Sequence, residues 1–317
     1  MWRILTEEIR SVGERHFAKK TTFHEDLPLY WGNWGATSET GRLRAVLMRR
    51  PGSEIEEITD PVVPRWREVL DPETARQQHD LLAQAYRDHG VEVHYVQETG
   101  ADRPNAIYCR DLLAMTPEGA IIARPAMDVR RGEERYVAAT VAAMGVPIVK
   151  TINGTGTFEG ADLIMIDRHS AFVGLGNRTN AEGARQVIEE LRLQGVTDVT
   201  VIQVPYGVAH LDCMFGLASP DVAVVFPWVT PFVVCEKLME KGYRIIEVQN
   251  PREGRQGYAT NFVALRPGVV VMSAGTPETV EALDAHGVEV VEVDISEILK
   301  GMGGVHCCTA ILSREDL

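Results

Sequence analysis

The chain repeats one pattern five times, and that repetition restricts the folds open to it more than any other feature. The stretch SAFVGLGNRTNAEGARQVIEELRLQGVTDVTVIQVP, from Ser170, reads as an apolar strand, a turn, an amphipathic helix, a glycine and a second β-branched strand. The same plan runs through GAIIARPAMDVRRGEERYVAATVAAMGVPIVKTI from Gly119, DVAVVFPWVTPFVVCEKLMEKGYRIIEVQN from Asp221 and GVVVMSAGTPETVEALDAHGVEVVEVDI from Gly268. A stretched copy begins at RAVLMRRPG from Arg44, takes an insertion, and resumes with QQHDLLAQAYRDHG and VEVHYVQ. The glycine before each second strand (Gly90, Gly145, Gly195, Gly242, Gly287) suits a helix C-terminus that needs positive φ. Doubly wound α/β proteins alternate in this way too, so periodicity alone leaves that fold open.

The segments that follow each second strand separate the two. They read NAIYCRDLLAM, GTFEGADLIMI, VAHLDCMFGLA, TNFVALRPG and GGVHCCTAIL. Each opens on small or polar residues and runs into another apolar strand. Copies arranged about a pseudo-axis would place all five openings at one end, gathering Asp111, Glu159, His210 with Asp212, Asn261 and Cys307. Polar residues at equivalent points of five repeats are poor core filler and read as one site.

Composition narrows the classes. At 317 residues the length allows one or two domains, and 45% hydrophobic with 24% charged residues is ordinary globular composition. A net charge of −13 argues against a nucleic-acid or anionic-membrane partner and suits a cationic small molecule. The charged N-terminus has no signal-like apolar core, and the apolar run from Val222 is interrupted by prolines and too short to span a bilayer. Five cysteines without framework spacing point to reduced thiols and a cytoplasmic setting.

A thiol, an imidazole and several carboxylates in one pocket suit a particular task. Carboxylates hold a planar guanidinium through paired hydrogen bonds, and a histidine can protonate a leaving amine and then activate water. Negative charge beside a thiol raises its pKa and dulls it, and a bound cation removes that conflict.

The motifs GGVHC, HLD, FEGAD and the CRD of NAIYCRD resemble, in order, those of the guanidine-modifying superfamily, the likeness running from about Arg44 to the C-terminus. That group includes arginine deiminases, dimethylarginine dimethylaminohydrolases, arginine dihydrolases and amidinotransferases. The resemblance implies an α/β fold, a five-bladed pseudo-symmetric propeller (pentein) of strand–helix–strand units over 44–317, preceded by an N-terminal arm or lid, 1–43. It implies Cys307 as nucleophile, His210 as general acid and base, and Asp111, Glu159 and Asp212 as the carboxylates that hold the guanidinium and orient the histidine. Arg178, in GLGNRTN, and one of Arg130 and Arg131 resemble clamps for a substrate α-carboxylate, and Asn261 occupies the fourth equivalent segment.

Two departures stand out. EGAD replaces the commoner EGGD, so Ala161 adds a methyl that would narrow the pocket. The aromatic YWGNWGATSETG offers Trp31, Asn33 or Trp34 to a lid, against the plainer reading of a packed arm.

Plainer readings also hold for single residues. Cys308 reads as core, facing away from its neighbour, and Cys109 and Cys213 as packing. Zinc could be drawn on His210, Cys213, His306, Cys307 and Cys308, but no C-x₂-C pair exists, and no phosphate-binding glycine loop appears. No metal or cofactor is called for.

The leading expectation is a hydrolase acting on C–N bonds of a linear amidine, arginine or an N-substituted arginine, through a covalent amidino-thioether on Cys307. An amidinotransferase, an arginine dihydrolase giving ornithine, and a non-catalytic propeller that kept the pocket are the alternatives. The expected partner is a small guanidino substrate, with a homodimer left open.

Overall fold

The structure, a computed structural model, describes residues 20–96 and 103–317. The first nineteen residues of the expected arm lie outside the described residues.

Fifteen strands among the described residues form five three-stranded sheets, and all five share one plan. β3 (Leu113–Thr116) and β4 (Gly119–Ile122) make a tight antiparallel hairpin. The helix Glu134–Ala143 then returns the chain so that β5 (Ile148–Thr151) pairs parallel with β4. β6 (Leu163–Asp167), β7 (Ser170–Leu175) and β8 (Asp198–Gln203) repeat this around the helix Ala181–Leu193. So do β9 (Phe215–Ser219), β10 (Val222–Val225) and β11 (Arg244–Glu247) around Phe232–Glu240, and β12 (Val263–Arg266), β13 (Val269–Ser273) and β14 (Glu289–Val293) around Pro277–Ala285.

The fifth sheet joins the two ends of the chain. β1 (Leu43–Met48) pairs parallel with β2 (Glu92–Tyr95) across the helix Pro72–Asp88, and its antiparallel partner is β15 (Ala310–Arg314), the strand after the two cysteines. The stretch after each repeat thus begins the next sheet, and the last one closes the first.

The helix ends follow from local chemistry. Asp71 and Asn180 cap their helices by accepting from the backbone N–H groups of Thr74 and Gly183, each at 2.8 Å. At the other ends Gly90, Gly145, Gly195, Gly242 and Gly287 have φ between 75° and 88°. The residue after each glycine donates back into the helix, Val91 to Tyr86, Val146 to Val141, Val196 to Leu191, Tyr243 to Leu238 and Val288 to Leu283. That bond requires a left-handed residue between its partners, which is why one residue type recurs at all five places.

The antiparallel hairpins are buried and the parallel outer strands are part exposed, so the core lies under the hairpins. Phe172 of β7 meets Phe215 of β9 edge-on with centroids 5.6 Å apart, packing neighbouring sheets together. Residues 35–41 are almost wholly buried. Gly35 bridges Ser313, Glu39 donates its N–H to Met165 O at 2.9 Å, and Arg314 donates to the carbonyls of Gly41 and Ala264. This stretch of the expected arm is part of the packed body.

Among the described residues no helix is long and apolar enough to cross a membrane.

Gly160 marks where the repeats touch most closely. A Cβ there would collide with the carbonyl oxygens of Arg110 and Leu113, backbone that cannot yield. Gly160→Ala should therefore lower the unfolding free energy by about 1–3 kcal/mol, as overpacking does, measurable by urea denaturation. An unchanged midpoint would show that the two turns do not meet as described.

Candidate active site

The first strand of each of the four hairpins, and β15 of the fifth sheet, is entered through a short turn, and these turns are linked to one another. The turns Cys109–Leu112, Gly160–Asp162 and Leu211–Cys213 precede β3, β6 and β9, with 258–261 before β12 and 304–309 before β15. Arg110 N–H donates to Cys307 O at 3.0 Å, and His306 N–H to Asn261 O at 3.2 Å. Asn261 Oδ1 accepts from Cys307 N–H at 3.2 Å, and Thr260 Oγ1 donates to Asp212 O at 3.1 Å. Arg110 Nη2 donates to Leu163 O at 2.7 Å. Asp111, Glu159, His210, Asp212, Asn261 and Cys307 are all buried within this linked set.

His210 sits between two carboxylates. Its Nε2 lies 2.7 Å from Glu159 Oε2 and its Nδ1 lies 3.5 Å from Asp111 Oδ1. Burial disfavours its charge, but Asp111, Glu159 and Asp162 outweigh that and push it up to about 9. Glu159 is fully engaged. Oε1 accepts from the Ala126 N–H at 3.2 Å, and Oε2 accepts from Arg178 Nη1 at 2.8 Å and from His210. Burial raises the pKa of Glu159, yet the hydrogen bond and charge of His210 prevail, leaving it at about 2. Asp111 gives Oδ2 to Arg130, while its buried Oδ1 has no hydrogen-bond partner. Asp111 is paired in charge with Arg130 and His210, but this oxygen remains free to accept a hydrogen bond.

Cys307 lies beside this pair. Its Sγ is 3.8 Å from Asp212 Oδ2, which accepts from His306 Nδ1 at 2.9 Å. His306 Nε2 approaches Glu39 Oε2 at 3.4 Å, and Glu39 pairs with Arg110 at 3.1 Å. Burial, then the charges of Asp212 and Asp111, hold the Cys307 thiol well above its usual range. The resting sulfur is therefore a protonated thiol.

Cys307, His210 and Asp111 line one cavity of about 70 Å³ with Arg178, Arg130 and Cys213. At ~30 Å³ per liquid water this admits a small planar head and little more. Asp212 lies behind the sulfur, outside the lining. Asn261 is beside the Cys307 backbone, and its Nδ2 is buried without a partner.

Several expectations change. Arg131 is about half exposed, bonded to the Pro125 carbonyl, and outside the cavity, whereas Arg130 lines it but is spent on Asp111 and Glu133. Asn33 does not reach the site. It lines a separate cleft with Trp31 and Trp34, because the Gly35–Ser313 bridge and the Ser313 hydroxyl on Asn33 O draw that stretch along β15. Trp31, Asn33 and Trp34 do not line the Cys307 cavity in this structure. Ala161 is fully buried and its methyl does not line the cavity. Cys213, read as packing, lines the cavity, while Cys308 is fully buried away from it.

Sequence reasoning named His306 only as a conceivable zinc ligand and passed over Glu39, Arg65 and Asn105. His306 had a signal, standing just before Cys307. Glu39 had none, since nothing local ties residue 39 to residue 306.

Ligand atoms of Asp111, Glu159 and His210 lie within 4.8 Å of one another, close enough for a metal ion. Arg130 and Arg178 already hold these carboxylates, so a divalent cation would meet two guanidinium charges there.

The raised His210 also predicts a stability profile. The folded state binds this proton more tightly than the unfolded chain, whose value is near 6.5. The stabilisation is complete below pH 6.5 and is lost as pH rises through about 9. In urea melts the gap between wild type and His210→Gln should be widest at the acid end and close toward pH 9. A gap independent of pH would mean that folding leaves the His210 pKa unchanged, and one that widens as pH rises would mean that His210 is buried neutral.

Known proteins similar to this chain share its fold. Residues 54–314 match the family described as N,N dimethylarginine dimethylhydrolase, eukaryotic. The N(G),N(G)-dimethylarginine dimethylaminohydrolase of Pseudomonas aeruginosa is 32% identical over 238 residues, covering 74% of this chain and 86% of that protein. An arginine deiminase from Lentilactobacillus hilgardii is 23% identical over 403 residues, covering 88% of this chain and 96% of its own. A solved structure of the Pseudomonas aeruginosa dimethylarginine dimethylaminohydrolase, complexed with citrulline, superposes with a TM-score of 0.72 at 28% identity, over 85% of this chain and 99% of that one. Within the guanidine-modifying superfamily, the chain belongs to the N,N dimethylarginine dimethylhydrolase family, hydrolases acting on C–N bonds of linear amidines.

Proposed function

We propose that this protein hydrolyses arginine or an N-substituted arginine through a covalent amidino-thioether on Cys307. The observation that carries the reading is an imidazole set between two carboxylates, with an orphaned carboxylate oxygen, sharing one small cavity with a thiol. We also read residues 44–317 as one catalytic unit whose five sheets are blades about a common axis. The hydrogen bonds between successive turns support that reading.

The guanidinium enters with its plane against Asp111 Oδ1, supplying the positive charge that the thiol lacks. The Cys307 proton then leaves to solvent, and the thiolate attacks the guanidinium carbon. His210 gives its proton to the departing amine as the C–N bond breaks, leaving an amidino group on sulfur. Neutral His210 takes a proton from water as that water attacks the same carbon. The C–S bond breaks, a ureido product forms, and the sulfur is reprotonated. Glu159 holds the imidazole in place throughout, and Asp212, fixed by His306, keeps the empty site from ionising its thiol.

Amidino transfer would share the first half of this path. The match to a hydrolase family and the likeness to a dimethylaminohydrolase support water as the acceptor.

Cys307→Ser should cut turnover of arginine or dimethylarginine by roughly a thousandfold or more, with an unchanged circular dichroism spectrum. Cys308→Ser should retain turnover. Loss of activity in Cys308→Ser with retention in Cys307→Ser would reverse the assignment.

A further inference from the structure

The cavity holds three arginines, and two are already neutralised. Arg130 is buried on Asp111 and Glu133, and Arg178 bonds Glu159. Arg65 is different. It lines the same cavity, is exposed to solvent, and its guanidinium has no hydrogen-bond or ion-pair partner among the described residues. Because Cys307, His210 and Asp111 are buried while Arg65 is exposed, it stands at the cavity mouth.

Its backbone is constrained to stand there. Arg65 has φ of 66°, one of three described non-glycine residues in the left-handed region, an unfavourable state for a side chain of this size. Both neighbours are pinned. Asn105 Nδ2 donates to Pro64 O at 2.9 Å, the buried Trp66 indole donates to Asn105 Oδ1 at 2.7 Å, and Trp66 N–H donates to Pro61 O at 2.8 Å. Arg67 N–H then ties the chain to Lys300 O at 2.8 Å. With residues 64 and 66 held inward, residue 65 is turned outward over the opening. Glycine would fit this backbone with less strain, yet arginine stands here.

We propose that Arg65 is a specificity-determining residue, pairing with a carboxylate at the far end of the substrate and so selecting guanidino acids over guanidino amines. The inference rests on the guanidino reading above and adds the residue that reads the tail of the substrate proposed there. A ligand with a cation at one end and an anion at the other meets Asp111 in the cavity and Arg65 at its mouth, each with an unspent group. Guanidinium–carboxylate pairing is strong and directional, which suits discrimination.

Calorimetry on the full chain in a Cys307→Ser background tests this, with arginine and its decarboxylated analogue agmatine as probes. The ratio of their affinities should favour arginine and fall by roughly tenfold in Arg65→Gln. Arg65→Lys should recover part of it. Arg65→Gly, which the left-handed backbone accepts, should show the same fall, separating charge from folding. A ratio that ignores all three substitutions, or a protein that prefers agmatine, overturns the inference alone. If neither probe binds the Arg65-containing protein, and wild type turns over no guanidine, the guanidino reading itself fails.

Discussion

Charge buried without compensation is expensive, and the centre of this molecule buries a great deal of it. Glu39, Asp111, Glu133, Glu159 and Asp212 meet Arg110, Arg130, Arg178, His210 and His306 in the space where five turns come together. Partners in this set come from different repeats: Asp111 from the turn before β3, Glu159 from the next, His210 from the third, His306 from the last. Arg130 meets Asp111 and Glu133 inside one repeat and Arg178 meets Glu159 inside the next, but His210 and His306 find their carboxylates only across repeats. Burying these charges therefore demands that the repeats associate, and the same demand leaves buried acceptors such as Asp111 Oδ1 and Glu133 Oε1 without a hydrogen-bond partner.

That imbalance connects stability to chemistry. An empty site holds a neutral thiol against two carboxylates and a charged imidazole. Adding a planar cation completes Asp111 and relieves the repulsion that kept sulfur protonated. In the proposed mechanism, reactivity is thus withheld until the substrate supplies it, which would protect a buried thiol from indiscriminate alkylation or oxidation.

Much of this was legible in the residues because it is local. The glycine after each helix obeys a backbone rule, the alternation of strands and helices obeys periodicity, and the polar openings recur at equivalent points. These placed Asp111, Glu159, His210, Asp212, Asn261 and Cys307 together. What was not legible depends on contacts distant in sequence. Asn33 and Trp34 looked available for a lid, but a bridge to Ser313 commits them elsewhere. Arg130 and Arg131 were indistinguishable until Glu133 and Asp111 took the first. Cys213 follows a site residue in a 3₁₀ turn, whose side chains do not alternate as a strand's do, so it lines the cavity. Arg65 gave no sign because its outward pose arises from Asn105, forty residues later, holding both neighbours.

The central claim is that the sulfur of Cys307 bonds to the guanidinium carbon during turnover. Acid quenching of the protein while it consumes a slowly reacting guanidine, followed by digestion and peptide mass measurement, tests it directly. The account predicts an added amidino group on Cys307 and none on its neighbour Cys308. Sustained turnover with Cys307 unmodified, or an adduct on Cys308, would contradict it.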